Sequence, residues 1–214
     1  DQWISTGERH AVSGLRVGEI YTLTEKNAPE GYVIASSVEF TVEEDSAVQQ
    51  VVMRDKQVFV SKRTVTGEAE LPGAELTVTD SGGNVVDRWV SADAPHAVNG
   101  LRVGESYTLS EIAAPEGYAA AKSISFTVED DFSIQQVTMI DKQVLVMKTD
   151  TSIAGLAGAA FEVRDQNGKV IDSWVSDGTA HAVSSLAVGE TYVLVETEAP
   201  EGYVRAADIT FTVS

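Results

Sequence analysis

The chain repeats itself, and this repeat constrains what it can fold into more than any other feature. The segment DQWISTGERHAVSGLRVGEIYTLTEKNAPEGY begins at Asp1, and similar segments begin at Asp87 and Asp172. Residues 1–56 match residues 87–142 at 34 of 56 positions without a gap. Such periodicity is typical of arrays in which one structural unit adjoins the next. We predict three units: a C-terminal part of a repeat at 1–56 (the first repeat), a complete repeat at 57–142 (the central repeat), and a repeat lacking its last strand at 143–214 (the third repeat).

Composition excludes several classes of partner and site. The chain has 33 Asp and Glu residues against 15 Lys and Arg, a net charge of −18. That field repels nucleic acid and anionic membrane surfaces, and no apolar run approaches the about 20 residues that cross a bilayer. Cysteine is lacking, which excludes disulfides, thiol catalysis and Cys-ligated zinc. We therefore expect no nucleic-acid partner and no membrane insertion in this segment.

Within a repeat, short alternating segments lie between turns rich in Gly, Pro, Asn and Asp, which predicts an all-β sandwich. No stretch shows convincing helical periodicity. The motif SGGN at 81–84 predicts a hairpin turn, because Gly and Asn tolerate positive φ. The candidate strands of the central repeat are Val58–Lys62, Glu75–Thr79, Val85–Val90, His96–Leu101, Ser106–Glu111, Ile124–Val128 and Ile134–Ile140.

Three ionisable positions continue the apolar stripes of their strands. Side chains two residues apart on a strand share a face, so Lys62 lies in phase with Val58 and Val60. In the same way, Glu111 continues the apolar stripe of the fifth strand, and Asp141 continues the apolar stripe of the last strand. Every copy of each position keeps its residue type. The equivalents are Glu25 and Asp55 in the first repeat, and Lys148 and Glu196 in the third.

A charge buried alone is so unfavourable that these side chains must pair, neutralise or react. Three outcomes remain open. The side chains reach solvent at the strand ends, or they form a buried ion cluster without chemistry, or Lys and Asp condense to an amide while Glu carries protons. The third outcome is chemically coherent, because desolvation favours a neutral amine and a neutral carboxyl, and the fold supplies their contact.

A longer motif, Y-x-L-x-E-x-x-A-P-E-G-Y, occurs as YTLTEKNAPEGY, YTLSEIAAPEGY and YVLVETEAPEGY. With a Lys ending the first strand and last strands ending VVMRD or VTMID, it resembles the collagen-adhesin B-type (CnaB, SpaA-type or prealbumin-like) repeats of Gram-positive surface proteins. The resemblance implies tandem transthyretin-like (reverse-Ig) sandwiches whose first and last strands are adjacent. It also implies an isopeptide bond that joins Lys62 to Asp141, with Glu111 as the catalyst.

Two features qualify that resemblance. Many members of the family use Asn as the acceptor, and Asp at position 141 makes bond formation depend more on carboxyl protonation. The two outer repeats also lack one partner each within this chain. Lys148 and Glu196 have no acceptor before Ser214, and Asp55 and Glu25 have no lysine after Asp1, so we predict that Lys148 and Asp55 are unpaired.

No signal predicts a cofactor, a metal site or a turnover enzyme. His10, His96 and His181 occur once per repeat and so cannot converge on one metal. The acidic clusters at 43–45 and 129–131 are interpreted as solvated turns, because the oxygen ligands of a full calcium cage are not evident. A Lys–Glu–Asp group of this kind reacts only once, with itself.

Three functional hypotheses follow. The leading one is an extracellular stalk or spacer, part of a cell-wall-anchored adhesin whose anchor lies outside this segment, with neighbouring repeats as its partners. Uniform repeats favour it, because binding sites usually show as distinctive loops. The second is that the repeats themselves bind a host extracellular-matrix protein. The third is a shaft module of a sortase-assembled pilus.

Overall fold

The computed structural model describes residues 1–45, 47–131 and 133–214, and every strand or helix assigned within them is a β-strand. The all-β prediction is therefore confirmed. Within these ranges there is also no helix of the length and apolarity that a membrane span needs.

The strands follow the repeats. The first repeat contains β1 (Ile20–Leu23) and β2 (Val38–Thr41). The central repeat contains β3 (Val58–Thr64), β4 (Glu75–Asp80), β5 (Val85–Val90), β6 (His96–Ala97), β7 (Ser106–Ala113), β8 (Ala119–Ala120), β9 (Ile124–Thr127) and β10 (Gln135–Asp141). The third contains β11 (Leu145–Val146), β12 (Ala157–Arg164), β13 (Val170–Asp177), β14 (His181–Ala182), β15 (Leu186–Ala187), β16 (Thr191–Glu198) and β17 (Ile209–Thr212).

The central repeat is a sandwich of two sheets. One has the order β5-β4-β7-β9 and is antiparallel throughout. The other has the order β10-β3-β6, and its β10–β3 pair is parallel, with Val137 opposite Val60. Alternate side chains of these strands form one buried core, among them Leu76, Leu109 and Met139, each 0% exposed. This burial of apolar surface is the main stabilising contribution to the repeat.

The outer repeats have fewer strand pairs. In the third repeat β13-β12-β16-β17 form one sheet, but the two-residue β11 pairs only with β14. In the central repeat the equivalent β3 is seven residues long and has a neighbour on each side. In the first repeat the pair β1–β2 is the one sheet within the described ranges. Regular pairing thus extends furthest where both the first and the last strand of a repeat occur in this chain.

Two differences from the predicted strands have one cause. The predicted strand His96–Leu101 is shorter: β6 ends at Ala97, Val98 still donates to the Val58 carbonyl, and Leu101 accepts a hydrogen bond from Ile34 of the first repeat. The short β8 was not predicted, because its strand partner is β15 of the third repeat. Sequence alternation within one repeat contains no signal for pairing between repeats. The hairpin turn predicted at 81–84 does join β4 to β5.

Candidate functional site

Lys62 lies in the interior of the central repeat. It is carried by β3, the middle strand of its sheet, and its side chain is 1% exposed. The loop after β3 is bound to the backbone of this residue. The Lys62 N–H donates to Glu70 Oε2 at 2.9 Å, and the Lys62 carbonyl accepts from the Leu71 N–H at 2.6 Å. This loop therefore packs along the end of β3.

Glu111 and Asp141 meet Lys62 between the two sheets. Glu111 lies on β7 of the four-stranded sheet, whereas Asp141 ends β10, the parallel neighbour of β3. Lys62 Nζ is 2.9 Å from Glu111 Oε1 and in direct contact with Asp141 Oδ1. Both carboxyl side chains are 0% exposed. One amine and two carboxyl groups thus share a site from which solvent is excluded.

The electrostatics of this site favour a proton on one carboxyl group. Burial raises the pKa of Asp141, contact with Lys62 lowers it and the nearby Glu111 raises it, and together these effects place the pKa at about 7. Within the described ranges Asp141 Oδ2 has no hydrogen-bond partner, and Glu111 Oε1 has none apart from its ion pair with Lys62. A proton on Asp141 removes a buried negative charge and relieves the repulsion between the two carboxyls.

A backbone amide holds the glutamate in place, and sequence reasoning missed this contact. The Ala121 N–H donates to Glu111 Oε2 at 2.7 Å, which leaves Oε1 facing the lysine. The same bond recurs in the other repeats, from Ala35 to Glu25 at 2.8 Å and from Ala206 to Glu196 at 2.5 Å. The signal was present in the sequence, because an alanine follows each of these glutamates by ten residues.

The two outer repeats contain incomplete versions of the cluster. In the third repeat Lys148 Nζ is 3.0 Å from Glu196 Oε1, with side-chain exposures of 15% and 1%. In the first repeat burial raises the pKa of Glu25, partly opposed by its bond from Ala35, and the charge of Asp55 raises it further. Burial also raises the pKa of Asp55. Among the residues that the structure describes, only those of the central repeat bring the amine, the glutamate and the aspartate together.

The histidines belong to a separate feature that recurs in each repeat. His96 stacks on Trp89 with ring centroids 4.1 Å apart, and its Nε2 is 2.9 Å from Asp87 Oδ2. The same Trp–His–Asp arrangement occurs in the other two repeats. No group of three or more potential metal ligands occurs in the part of the chain that the structure describes.

A protein-family model described as SpaA, prealbumin-like fold domain, matches three successive segments of the chain. They are residues 2–57, 56–143 and 142–214, which together span almost its whole length. A comparison with curated protein sequences gives no match.

Solved structures with similarity to the chain include pilins. The streptococcal ancillary pilin is 18% identical with a TM-score of 0.39, and the match covers 91% of this chain and 71% of that one. The shaft pilin of Lactobacillus rhamnosus GG is 15% identical with a TM-score of 0.33, covering 74% and 93%. The Bacillus anthracis TIE protein is 23% identical with a TM-score of 0.33. That match covers 92% of this chain but only 40% of the Bacillus protein.

Proposed function

We propose that this chain, which belongs to the SpaA prealbumin-like fold domain family, is a structural segment of a pilus shaft or surface stalk whose central repeat is closed by a Lys62–Asp141 amide. The protein to which it belongs is a Gram-positive surface protein attached to the cell wall. Its repeats bear load and provide length, and the Lys–Glu–Asp cluster reacts once rather than turning over a substrate.

The buried contact between Lys62, Glu111 and Asp141 carries this proposal. A nucleophile, a proton carrier and an acceptor lie within reach of one another in a site from which water is excluded. Such an arrangement supplies the high effective molarity that amide formation from free groups in water lacks. An ion cluster held only by charge would gain little from this burial, because desolvation offsets most of its Coulomb energy.

The proposed reaction balances without a cofactor. Glu111 Oε1 accepts a proton from Lys62 Nζ and passes a proton to the Asp141 carboxyl. The neutral amine attacks Cγ of Asp141, and a tetrahedral intermediate forms. One Asp141 oxygen then leaves as water. One proton of this water is the one that the ammonium gave up through Glu111, and the other is the one that the attacking nitrogen loses as the amide forms. A lysine ammonium and an aspartate carboxylate are thereby converted into one amide and one water.

The position of the bond suits a load-bearing role. β3 is the first strand of the central repeat and β10 is its last, and the two are parallel neighbours. A pull along the array enters at one of these strands and leaves at the other. With Lys62 and Asp141 joined, the force passes through the amide, and the residues between them are not extended. The same bond reduces the conformational entropy of the unfolded chain and so stabilises the folded repeat, as a disulfide of that span does.

The first test is the intact mass of the purified 214-residue chain. We expect it to be about 18 Da, one water, below the mass calculated from the sequence, because one amide forms. Lys62→Ala, Glu111→Ala and Asp141→Ala should each show their full calculated mass. Lys148→Ala is the matched control: it removes the equivalent lysine of a repeat without an acceptor, so the deficit of one water should remain. An undiminished wild-type mass would exclude the bond but not the fold.

A further inference from the structure

The segment after the E-G-Y motif of the first repeat, and that of the central repeat, each extend into the following repeat. Val33 belongs to the first repeat, but it is 0% exposed and lies in the hydrophobic core of the central repeat with Val58 and Val98. Ala119 belongs to the central repeat, but it is 0% exposed in the core of the third repeat, with Val183 and Leu186. Each of these cores therefore contains a side chain that the preceding repeat supplies.

Backbone hydrogen bonds hold the first of these segments in the following repeat. The Val33 N–H donates to the carbonyl of Lys56, the last residue of its own repeat, at 2.9 Å, which fixes the segment beside the point where the central repeat begins. The Ile34 N–H donates to the Leu101 carbonyl at 2.9 Å, and the Ile34 carbonyl accepts from the Val103 N–H at 3.1 Å. Residues 101–103 thus bind the segment through one isolated parallel β-bridge, Ile34 opposite Arg102.

The second junction repeats this geometry. The Ala119 N–H donates to the carbonyl of Lys142, the last residue of its own repeat, at 2.8 Å, and the Ala120 carbonyl accepts from the Val188 N–H of the third repeat at 2.9 Å. β8 and β15 pair in parallel over the same positions, with Ala119 opposite Leu186. Two junctions built from different side chains share one pattern, so the pattern is a property of the repeat.

A glycine at each junction is required by the neighbouring repeat as well as by its own backbone. Gly31 has φ +77° and its N–H donates to Asn99 Oδ1 at 2.7 Å. Gly117 has φ +79° and its N–H donates to Ser184 Oγ at 3.0 Å. A Cβ at either position would lie 3.3 or 3.1 Å from the Cβ of an alanine in the next repeat. Positive φ favours glycine here, and the close approach disfavours any side chain.

We propose that this segment, residues 31–35 in the first repeat and 117–121 in the central repeat, is an inter-repeat plug whose partner is the next repeat of the same family. Each repeat completes its core with a residue from the repeat before it, so neighbouring repeats fold cooperatively and are held at a fixed junction. Stability in such an array contains a nearest-neighbour contribution in addition to that of each unit.

The third repeat provides an internal control. Its equivalent segment, residues 202–206, contains Val204 in the position of Val33, and Val204 is 89% exposed. Gly202 has φ +84°, like the other two glycines, but a Cβ there would meet nothing within 4 Å. The same sequence element is thus packed in a neighbouring repeat at two sites and exposed at the third. Identical substitutions at the two kinds of site separate junction effects from local ones.

The decisive experiment is amide hydrogen exchange on the full 214-residue chain. Val33→Asp should speed exchange at Val103 and at the core amides of the central repeat, and Ala119→Asp should do so at Val188 and in the third repeat. We expect changes on the order of tenfold or more, because each variant places a charge in a core. Val204→Asp should change neither set. If Val33→Asp left the central repeat exchanging as in wild type, the repeats would be independent and the proposal wrong.

A second pair of variants, with smaller substitutions, keeps the proposal testable if the aspartate variants unfold the whole chain. Gly31→Ala and Gly202→Ala impose the same strain at positive φ, but only the first also meets the next repeat. Gly31→Ala should therefore accelerate exchange at Val98 and Val103 of the central repeat, whereas Gly202→Ala should disturb only residues near itself. If the two variants had equal effects, each confined to residues near the substitution, the proposal of an inter-repeat plug would be wrong. Neither result depends on whether the Lys62–Asp141 amide forms.

Discussion

Replacing Glu111 with alanine is expected to lower the free energy of unfolding of the central repeat by about 4–5 kcal/mol, if closing this loop acts as a disulfide of equal span does. Lys62 and Asp141 are 79 positions apart, so the bond removes much of the conformational entropy of the unfolded repeat. The variant keeps both reacting residues and removes only the proton carrier. The loss therefore measures the bond rather than the loss of a lysine or an aspartate.

Hydrogen exchange of the β3, β4 and β7 amides is a suitable measurement, because it reports the opening free energy of one repeat in a longer chain. Glu196→Ala in the third repeat is the matched control. It deletes an equivalent side chain, with the same bond from a backbone N–H and a similar contact to a lysine, at a site without an acceptor. We expect the third repeat to lose much less stability than the central repeat loses. Equal losses would mean that no covalent bond contributes.

The fold could be predicted from sequence because the information was local and repeated three times. Alternation placed Val58, Val60 and Lys62 on one face of a strand, and all three are buried there. Turn residues located the hairpin between β4 and β5. Period-two alternation follows from strand geometry alone, so it can be recognised without knowing which strands are neighbours.

Features that depend on a distant partner were harder to predict. The adjacency of β3 and β10 joins strands more than seventy residues apart, and only resemblance to a family implied it, without the parallel sense of the pairing. The bond from the Ala121 N–H to Glu111 depends on the backbone path after a turn, which side-chain patterns do not specify. β8 has its partner in another repeat. In each case the deciding contact lies outside the window in which a sequence pattern can be recognised.

In a Lys62→Met variant, the central repeat is expected to become less stable as the pH rises from about 4 through 7. Burial raises the pKa of Asp141 to about 7 even beside the lysine, whose effect is to lower it. Without the amine, the folded-state pKa stays raised above the unfolded value of 3.8. The folded state then binds the Asp141 proton more tightly than the unfolded state does. The stabilisation that this proton provides is complete below the pKa of Asp141 in the unfolded state, and it is lost as the pH rises through the pKa of Asp141 in the folded state. The slope between these limits approaches about 1.4 kcal/mol per pH unit.

Urea midpoints of this variant and of Lys62→Met/Asp141→Asn, taken from about pH 4.5 to 8, isolate the contribution of Asp141, because the amide of asparagine does not titrate in that range. Glu111 is present in both proteins, so the difference between their slopes belongs to position 141. Parallel curves would show that Asp141 is not held protonated by the fold. The wild type supplies a third comparison: once Asp141 is part of an amide it has no proton to lose, so the wild-type curve should follow the asparagine variant in slope while lying at higher stability. A wild-type slope like that of Lys62→Met would instead mean that the carboxyl is still free.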